Sequence, residues 1–290
     1  MSDGVLIVGP GRMGLALGAA LAQCGRVRRL TYFGRDLEPP PHPLFEPGKA
    51  SAEYRIGPEP VPPGTTIVLL AVPDDHVAEA ARGLARVGPA PPGCVALHLA
   101  GALPTEVLAP LHGAGYAIGS MHPFQTVADP WSGGDRLTGA AFAIAGEPPA
   151  LAAARRLVAA LGGRALVIPP ALRPLYHAAA VFASNYLVAL AATTERLLRQ
   201  AGVEPADTLP AILPLLQGTL NNVEHLGITA ALTGPLARGD VDTVRLHMAR
   251  LSAEDRSLYS ALGREALRLA RAAGLDEARA AEIEAILSAG

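Results

Sequence analysis

The sequence predicts an α/β fold in which a mostly parallel sheet is followed by an all-helical C-terminal domain. Three observations carry this. Short, strand-like runs, mostly apolar, alternate with stretches of helical period as far as Val167. A glycine turn joins the first such run to the first helical stretch, and beyond Pro169 and Pro170 only helical patterns remain. The predicted domains are therefore 1–168 and 169–290.

Val5 to Val8 is the first strand, apolar at every position, as a strand buried on both faces must be. Leu15, Leu17, Ala20, Leu21 and Cys24 then follow with helical spacing, and Gly25 stands where a C-terminal cap belongs. Further strands are predicted at Leu30 to Phe33, Thr66 to Val72, Val95 to Leu99, Ala117 to Ser120 and Ala140 to Ala145. Helical patterns at Asp75 to Val87 and Leu151 to Leu161 alternate with them. Nine prolines between Leu37 and Pro63 forbid a regular crossover helix, so that segment is predicted as a surface loop with at most one short strand, Ala52 to Ile56. In the second half, helices are predicted over Leu172 to Ala201, Pro205 to Leu226, Val241 to Met248 and Ala253 to Ala273, with a short one near the C-terminus. The first is apolar nearly all round, which requires burial in its own domain or against a second subunit. A homodimer through the helical domain is the expectation.

Composition removes several function classes. With 290 residues, 50% hydrophobic, the chain has ample material for a core. A formal charge of -2 offers no broad attraction for nucleic acid or an anionic membrane, and leaves a small molecule as the expected partner. Cys24 and Cys94 are the only cysteines, too few for a disulfide framework and wrongly spaced for a thiolate zinc site, so a cytoplasmic protein with no metal is expected. The longest apolar stretch, near 178 to 192, is interrupted by Ser184 and Asn185, and no membrane span is expected. Lys49 is the only lysine, so chemistry that needs a lysine must use that one.

Gly9-Pro10-Gly11-Arg12-Met13-Gly14 is a Gly-x-Gly-x-x-Gly placed after an apolar strand and at a helix start. The first glycine allows the tight turn, the second lets a diphosphate approach the backbone, and the third allows close packing of helix on strand. The unpaired N–H groups and positive dipole of the helix N-terminus complete an anion cradle. Gly9, Gly11, Arg12, Met13 and Gly14 are accordingly expected to bind a dinucleotide, within a Rossmann-type domain. At the end of the second strand the chain reads Gly34-Arg35-Asp36; an arginine there accommodates a ribose 2′-phosphate, whereas an acid favours the free hydroxyl. Arg35 comes first and favours NADP, while a strand ending one residue later would let Asp36 favour NAD. Ala71, Val72 and Pro73 follow the Thr66 strand and either line the cofactor path or form an ordinary strand end.

Several longer segments carry a resemblance. Leu70-Ala71-Val72-Pro73-Asp74, His98-Leu99-Ala100-Gly101, Ser120-Met121-His122-Pro123-Phe124, the segment Tyr176 to Asn185, Gly218-Thr219-Leu220-Asn221-Asn222 and Thr233-Gly234-Pro235 stand with the glycine turn over nearly the whole chain. Together they resemble a bacterial Rossmann-like family with a C-terminal helical domain of unknown function. That family belongs to the wider group of 6-phosphogluconate dehydrogenase, pyrroline-5-carboxylate reductase and prephenate dehydrogenase. The resemblance implies an NADP-dependent oxidoreductase with no assigned substrate. It also implies a serine after the first histidine, as His-x-Ser-Gly, where this chain has Ala100. Related β-hydroxyacid dehydrogenases and ketopantoate reductases use a lysine of the helical domain. This helical domain has none, and Val181 occupies the position four before Asn185.

Hydride transfer needs a donor that polarises the substrate heteroatom, and histidine is the natural one here. His98 and His122 fall at or just after predicted strand ends, on the ligand-binding edge of such a sheet. On a single helix over Leu172 to Ala201, His177 and Ser184 point within about 20° of each other and Asn185 about 80° away, with Tyr176 pointing elsewhere. His122, His177, Asn185 and His98 are the catalytic candidates, each with a purely structural alternative: a turn hydrogen bond for the strand residues, helix packing for the others. Thr219, Asn222 and His225 share a helix face, so Thr219 and Asn222 either bind substrate in an interdomain cleft or bond neighbouring helices. The expected function is an NADP-dependent oxidoreductase acting on a small carbonyl or imine without a catalytic lysine. The alternative is a non-catalytic NADP-binding or redox-sensing protein on the same fold.

Overall fold

A computed structural model describes residues 3–46, 48 and 51–289. Lys49 lies outside the described residues. In chain order the elements of the first half are β1 (Asp3–Val8), α1 (Arg12–Gln23), β2 (Val27–Gly34), β3 (Glu53–Ile56), β4 (Ile67–Leu70), α2 (Val77–Val87), β5 (Val95–His98), α3 (Ala109–Gly113), β6 (Ala117–Pro123), α4 (Gly133–Leu137), β7 (Ala141–Gly146), α5 (Pro148–Ala160) and β8 (Arg164–Val167). Then come α6 (Arg173–Ala183), α7 (Asn185–Gln200), α8 (Pro205–Leu226), α9 (Ile228–Ala231), α10 (Pro235–Arg238), α11 (Val241–Arg250), α12 (Ala253–Ala272) and α13 (Glu277–Ser288). By internal contacts the chain divides into two compact units, Met1–Val188 and Ala189–Gly290. The point where strands give way to helices and the point where the units part are thus different, because α6 packs with the sheet.

The eight strands lie in the order β3-β2-β1-β4-β5-β6-β7-β8. All neighbouring pairs are parallel except β6 with β7, so β7 and β8 run against the rest. β8 is a strand that the sequence reading lacks: Arg164–Val167 is a four-residue edge strand with no fully buried residue, too short and too exposed to leave an alternating pattern. The proline-rich loop holds a single turn of 3₁₀-helix at Pro43–Phe45 and the predicted short strand β3.

The apolar runs are explained by cover on both sheet faces. Along β1, Val5 and Ile7 join one cluster with Leu15 and Leu17 of α1 and Ala153 and Leu157 of α5. Leu6 faces the other way, with Val77, Ala81 and Leu84 of α2 and Leu111 of α3. A helix–sheet–helix sandwich results, and cutting Leu6 to alanine would cost about 2–5 kcal/mol by leaving a cavity. The second unit has its own small core, in which Val244 and Met248 of α11 meet Leu267 of α12 and Ala280, Ile283 and Leu287 of α13.

The expected single helix from Leu172 to Ala201 is broken. Ser184 leaves helical geometry at φ -122° and ψ -71°, and its hydroxyl lies 2.7 Å from the Ala180 carbonyl and 2.9 Å from Asn185 Oδ1. This bonding of a serine side chain to the preceding turn competes with the helix ladder and bends it. By length and composition alone, Pro170–Gln200 is long and apolar enough to cross a bilayer. Its first helical residue, Arg173, is nevertheless wholly buried in the sheet unit.

Candidate functional site

The glycine turn sits at the carboxyl edge of the parallel strands. β1 lies between β2 and β4, with Val8 level with Phe33 on one side and Leu70 on the other. Gly9 turns away at φ 104°, a backbone conformation that favours glycine, and its N–H donates to the Phe33 carbonyl at 3.0 Å. A side chain on Gly14 would collide with the Gly9 carbonyl oxygen, so this glycine is needed for helix-on-turn packing. A Cβ at Gly11, by contrast, would meet no protein atom within 4 Å. Gly11 is the N-cap of α1 and supplies no side-chain cap, and the first turn carries no acidic residue. The N–H groups there are open to an anion, and the residues fit a diphosphate.

Around this turn, Arg12 is exposed and Met13 half-buried; Ala71 and Val72 are half-buried and Pro73 exposed. A Cβ on Gly9 would meet the Ala71 carbonyl and Val72 Cγ1 at 2.9 Å, which places the β4 end against the turn. β2 ends at Gly34, and Arg35 is the first residue beyond it, exposed. The next residue, Asp36, has its carbonyl tied by the Tyr54 hydroxyl at 2.8 Å.

A second group of polar side chains gathers farther along the same edge. His98 ends β5 level with Ser120 of β6, and β6 runs on to His122. His98 is wholly buried, and neither ring nitrogen has a protein hydrogen-bond partner. The Tyr176 hydroxyl and His122 Nδ1 share a hydrogen bond at 2.8 Å, with the rings edge to face. The His177 ring stands 5.7 Å from that of His122 at 82°, and its Nδ1 is buried without a partner. Gly101 makes this convergence possible, since a Cβ there would run into His177 Nδ1 and lie 3.0 Å from His122 Nε2.

Electrostatics set the protonation states. Burial, followed by the Arg173 guanidinium and His122, holds His98 down to about 3. His122 is held to about 4 by burial, then by His177 and Arg173. Both are neutral imidazoles at neutral pH. Burial pushes the Tyr176 hydroxyl up to about 12, with Arg173 pulling the other way, so the phenol keeps its proton. The Asp74 carboxyl, just past β4, is raised by burial and by Asp75 against the pull of His177 and Arg173.

The structure thus brings His98, His122 and His177 together. Asn185 it does not: the break at Ser184 voids the single-helix angles, and Asn185 is an exposed residue at the start of α7 that accepts from Ser184. Tyr176, read from the sequence as pointing elsewhere, bonds His122 directly, because its long ring reaches the strand from a neighbouring helix face. Thr219 and Asn222 lie exposed on α8 in the second unit, where the Thr219 hydroxyl donates to the Leu215 carbonyl of its own helix at 2.9 Å. Arg173 and Asp74 are additions that the sequence reading lacked. A signal existed for the former, since Arg173, Tyr176 and His177 stand three and four residues apart and so share one side of a helix. Among the described residues, no group of three His, Cys, Asp or Glu is arranged to hold a metal ion. A cavity of about 570 Å³ opens elsewhere, near the start of β6 and the ends of β7 and β8, lined in part by Glu106, His112, Glu147 and Val167 and by none of the three clustered histidines.

Comparison with known proteins agrees with this architecture. Residues 49–123 match the Rossmann-like domain, and residues 140–266 match a domain of unknown function, DUF2520. No curated protein matches in sequence. Among solved structures, the chain is similar to a putative NADP oxidoreductase, BF3122, from Bacteroides fragilis, with 24% identity, a TM-score of 0.69, and cover of 92% of this chain and 98% of that one. It is similar to protein TM1727 from Thermotoga maritima at 21% identity and a TM-score of 0.68, over the same shares of both chains. Plasmodium falciparum pyrroline carboxylate reductase, with NADP bound, is similar at 13% identity and a TM-score of 0.63, over 98% of each chain. Likeness at these identities is likeness of fold. This chain thus carries a Rossmann-like match over 49–123 followed by a DUF2520 match over 140–266 that takes in the last two strands and most of the helical half.

Proposed function

We propose that the chain is an NADP-dependent oxidoreductase that transfers a hydride to or from a small carbonyl or imine substrate, without a catalytic lysine. One observation carries the reading: a glycine turn with open helix N–H groups and a Tyr176–His122 pair stand on the same carboxyl edge of one sheet. The names of the Bacteroides and Plasmodium structures, an NADP oxidoreductase and a reductase with NADP bound, support it.

In this reading Gly9, Gly11 and Gly14, with the N–H groups of Arg12 and Met13, hold the diphosphate, Arg35 takes the 2′-phosphate, and Ala71, Val72 and Pro73 line the path beyond. When bound, the nicotinamide supplies the hydride chemistry. The chain's own residues manage the proton. In its Nδ1–H tautomer His122 donates to the Tyr176 oxygen, which turns the phenolic hydrogen toward the heteroatom of the substrate. The proton given up by Tyr176 is replaced from Nδ1, while Nε2 takes one from water. A neutral histidine and an un-ionised phenol suit this step, since neither holds a charge that must be desolvated beforehand. His177 borders the pair and His98 backs it.

The reading is tested by titrating the protein with NADPH and NADH and then following NADPH oxidation across keto acids, cyclic imines and aldehydes. Binding of NADPH at least tenfold tighter than NADH, with turnover of one substrate class, is expected. Failure to bind either nucleotide, or a preference for NADH, overturns the cofactor assignment. A second reading, an NADP-binding sensor without chemistry, is favoured by Ala100, whose side chain lacks a hydroxyl. Tight binding with no turnover on any substrate selects it.

The same proposal includes a homodimer through the helical half and a cytoplasmic setting. The apolar side chains left open on α6, α7 and α8 support the former, and the free thiols Cys24 and Cys94 suit the latter.

A further inference from the structure

Arg173 opens α6, and none of its side chain reaches solvent. Its Nε donates to the Leu103 carbonyl at 2.9 Å, one terminal nitrogen to Ser120 Oγ at 2.8 Å, and the other to the Ala100 carbonyl at 2.6 Å. All three acceptors are uncharged, and among the described residues Asp74 acts on the guanidinium only through space. Burying a cation without a bonded counter-ion is expensive; what an arginine supplies against that cost is a rigid fork of donors that holds three acceptors at once. Around it stands the candidate site: Asp74 after β4, His98 from β5, His122 from β6, and Tyr176 and His177 one turn along α6 itself.

We propose that Arg173 is the positioning residue of this site: its buried fork bolts the start of α6 to β6 and to the loop after β5, and so sets Tyr176 and His177 against His122. The geometry follows from the spacing. Ser120 is two residues before His122 on the strand, and Tyr176 is three after Arg173 on the helix, so one bond at each end fixes the 2.8 Å contact between them. The Ala100 and Leu103 carbonyls flank Gly101, the residue whose missing side chain admits both imidazoles. The guanidinium also acts on the same rings by its charge, adding to burial, which is the larger cause, in disfavouring the protonated forms of His98 and His122.

Histidine ring titrations by NMR, with turnover measured alongside, test this; only the turnover arm rests on the proposed function. In Arg173→Gln the His122 midpoint is expected to rise by about half a pH unit or more, with turnover at least tenfold lower and NADPH affinity unchanged. Arg173→Lys keeps the charge but has a single ammonium in place of a planar fork, so it should leave the titration in place and still lose turnover. A folded Arg173→Gln protein with wild-type titration overturns the proposal. Where Arg173→Gln does not fold, the lysine variant decides: reduced turnover with unmoved histidines supports positioning, and wild-type turnover refutes it. Absence of nucleotide binding by the unaltered protein, by contrast, overturns the oxidoreductase reading and leaves the titration result standing.

Discussion

The hydroxyl of Tyr176 and Nδ1 of His122 lie 2.8 Å apart, joining a helix to a strand across 54 residues of sequence. Neither group is wholly buried, so the pair borders the site and is not locked behind it. Removing the hydroxyl while keeping the ring isolates its chemistry from its packing against Phe124. Tyr176→Phe is expected to lower the turnover number by about 100-fold, the typical scale of one acid–base group, with NADPH affinity unaltered. Steady-state rates at saturating NADPH, set beside a fluorescence binding titration, check it. A loss confined to nucleotide affinity would contradict the assignment.

Stability should fall on mild acidification. His98 and His122 are held near 3 and 4 in the folded protein, against an ordinary value of 6.5 that the unfolded chain recovers. Between pH 6.5 and those folded values the unfolded state binds protons that the folded state refuses, so the stabilisation is complete above pH 6.5 and drains away as pH drops. Each group contributes a slope of about 1.4 kcal/mol per pH unit in that window. The raised Asp74 carboxyl works in the opposite direction, since its folded form takes up a proton earlier. Urea unfolding at pH 7 and pH 5 reads the difference. In His98→Leu the loss between those two pH values should shrink by about 2 kcal/mol; a loss equal to that of the unaltered protein would mean His98 is not a buried neutral imidazole.

Most of the sheet was legible from composition alone, because a strand covered on both faces has no polar alternation to hide it. Val5 to Val8 and Ile67–Leu70 are of this kind. The edge strand β8 was not, since its residues are exposed or only half-buried and carry no comparable constraint. At the site, the histidines were visible because their chemistry is distinctive and their strand ends are predictable. Arg173 was hard to single out for the opposite reason, its helical spacing to Tyr176 and His177 being the one signal. Arginines are common in this sequence, and nothing in a run of letters says that one of them is buried on three uncharged acceptors. Asn185 failed on geometry: a wheel drawn through Ser184 assumes a helix that the serine hydroxyl interrupts.

The apolar surface of α8 predicts a dimer. Only Thr208 and Ile212 of its residues are buried, while Leu209 and Leu213, four residues apart and so on one face, are 55% and 54% exposed. A helix of this composition gains little from water on its apolar side and is stabilised mainly by packing that side. Light scattering on a sizing column should give twice the monomer mass. Leu209→Glu and Leu213→Glu together should shift it to the monomer mass, without changing the circular dichroism spectrum. A single-chain mass for the unaltered protein would rule the dimer out.

Two glycines of the same turn should respond in opposite ways to one added methyl group. Gly14 packs α1 on the turn, and a Cβ there would strike the Gly9 carbonyl oxygen and lie 3.1 Å from the Ala71 Cβ. Gly14→Ala must push helix from turn, and a loss of about 1–3 kcal/mol is expected from overpacking. Gly11 has no protein atom near its would-be Cβ and sits at φ -80°, a backbone that alanine adopts freely. Gly11→Ala should therefore cost less than about 1 kcal/mol, the small penalty of a poorer N-cap. Yet the open space beside Gly11 is where the backbone would receive a diphosphate, and a methyl group there would hold it off. NADPH affinity is expected to fall at least tenfold in Gly11→Ala with the thermal midpoint nearly unmoved. Thermal unfolding and nucleotide titration on both variants separate the two roles. If Gly11→Ala bound NADPH as the unaltered protein does, the diphosphate would have to lie elsewhere on the sheet edge.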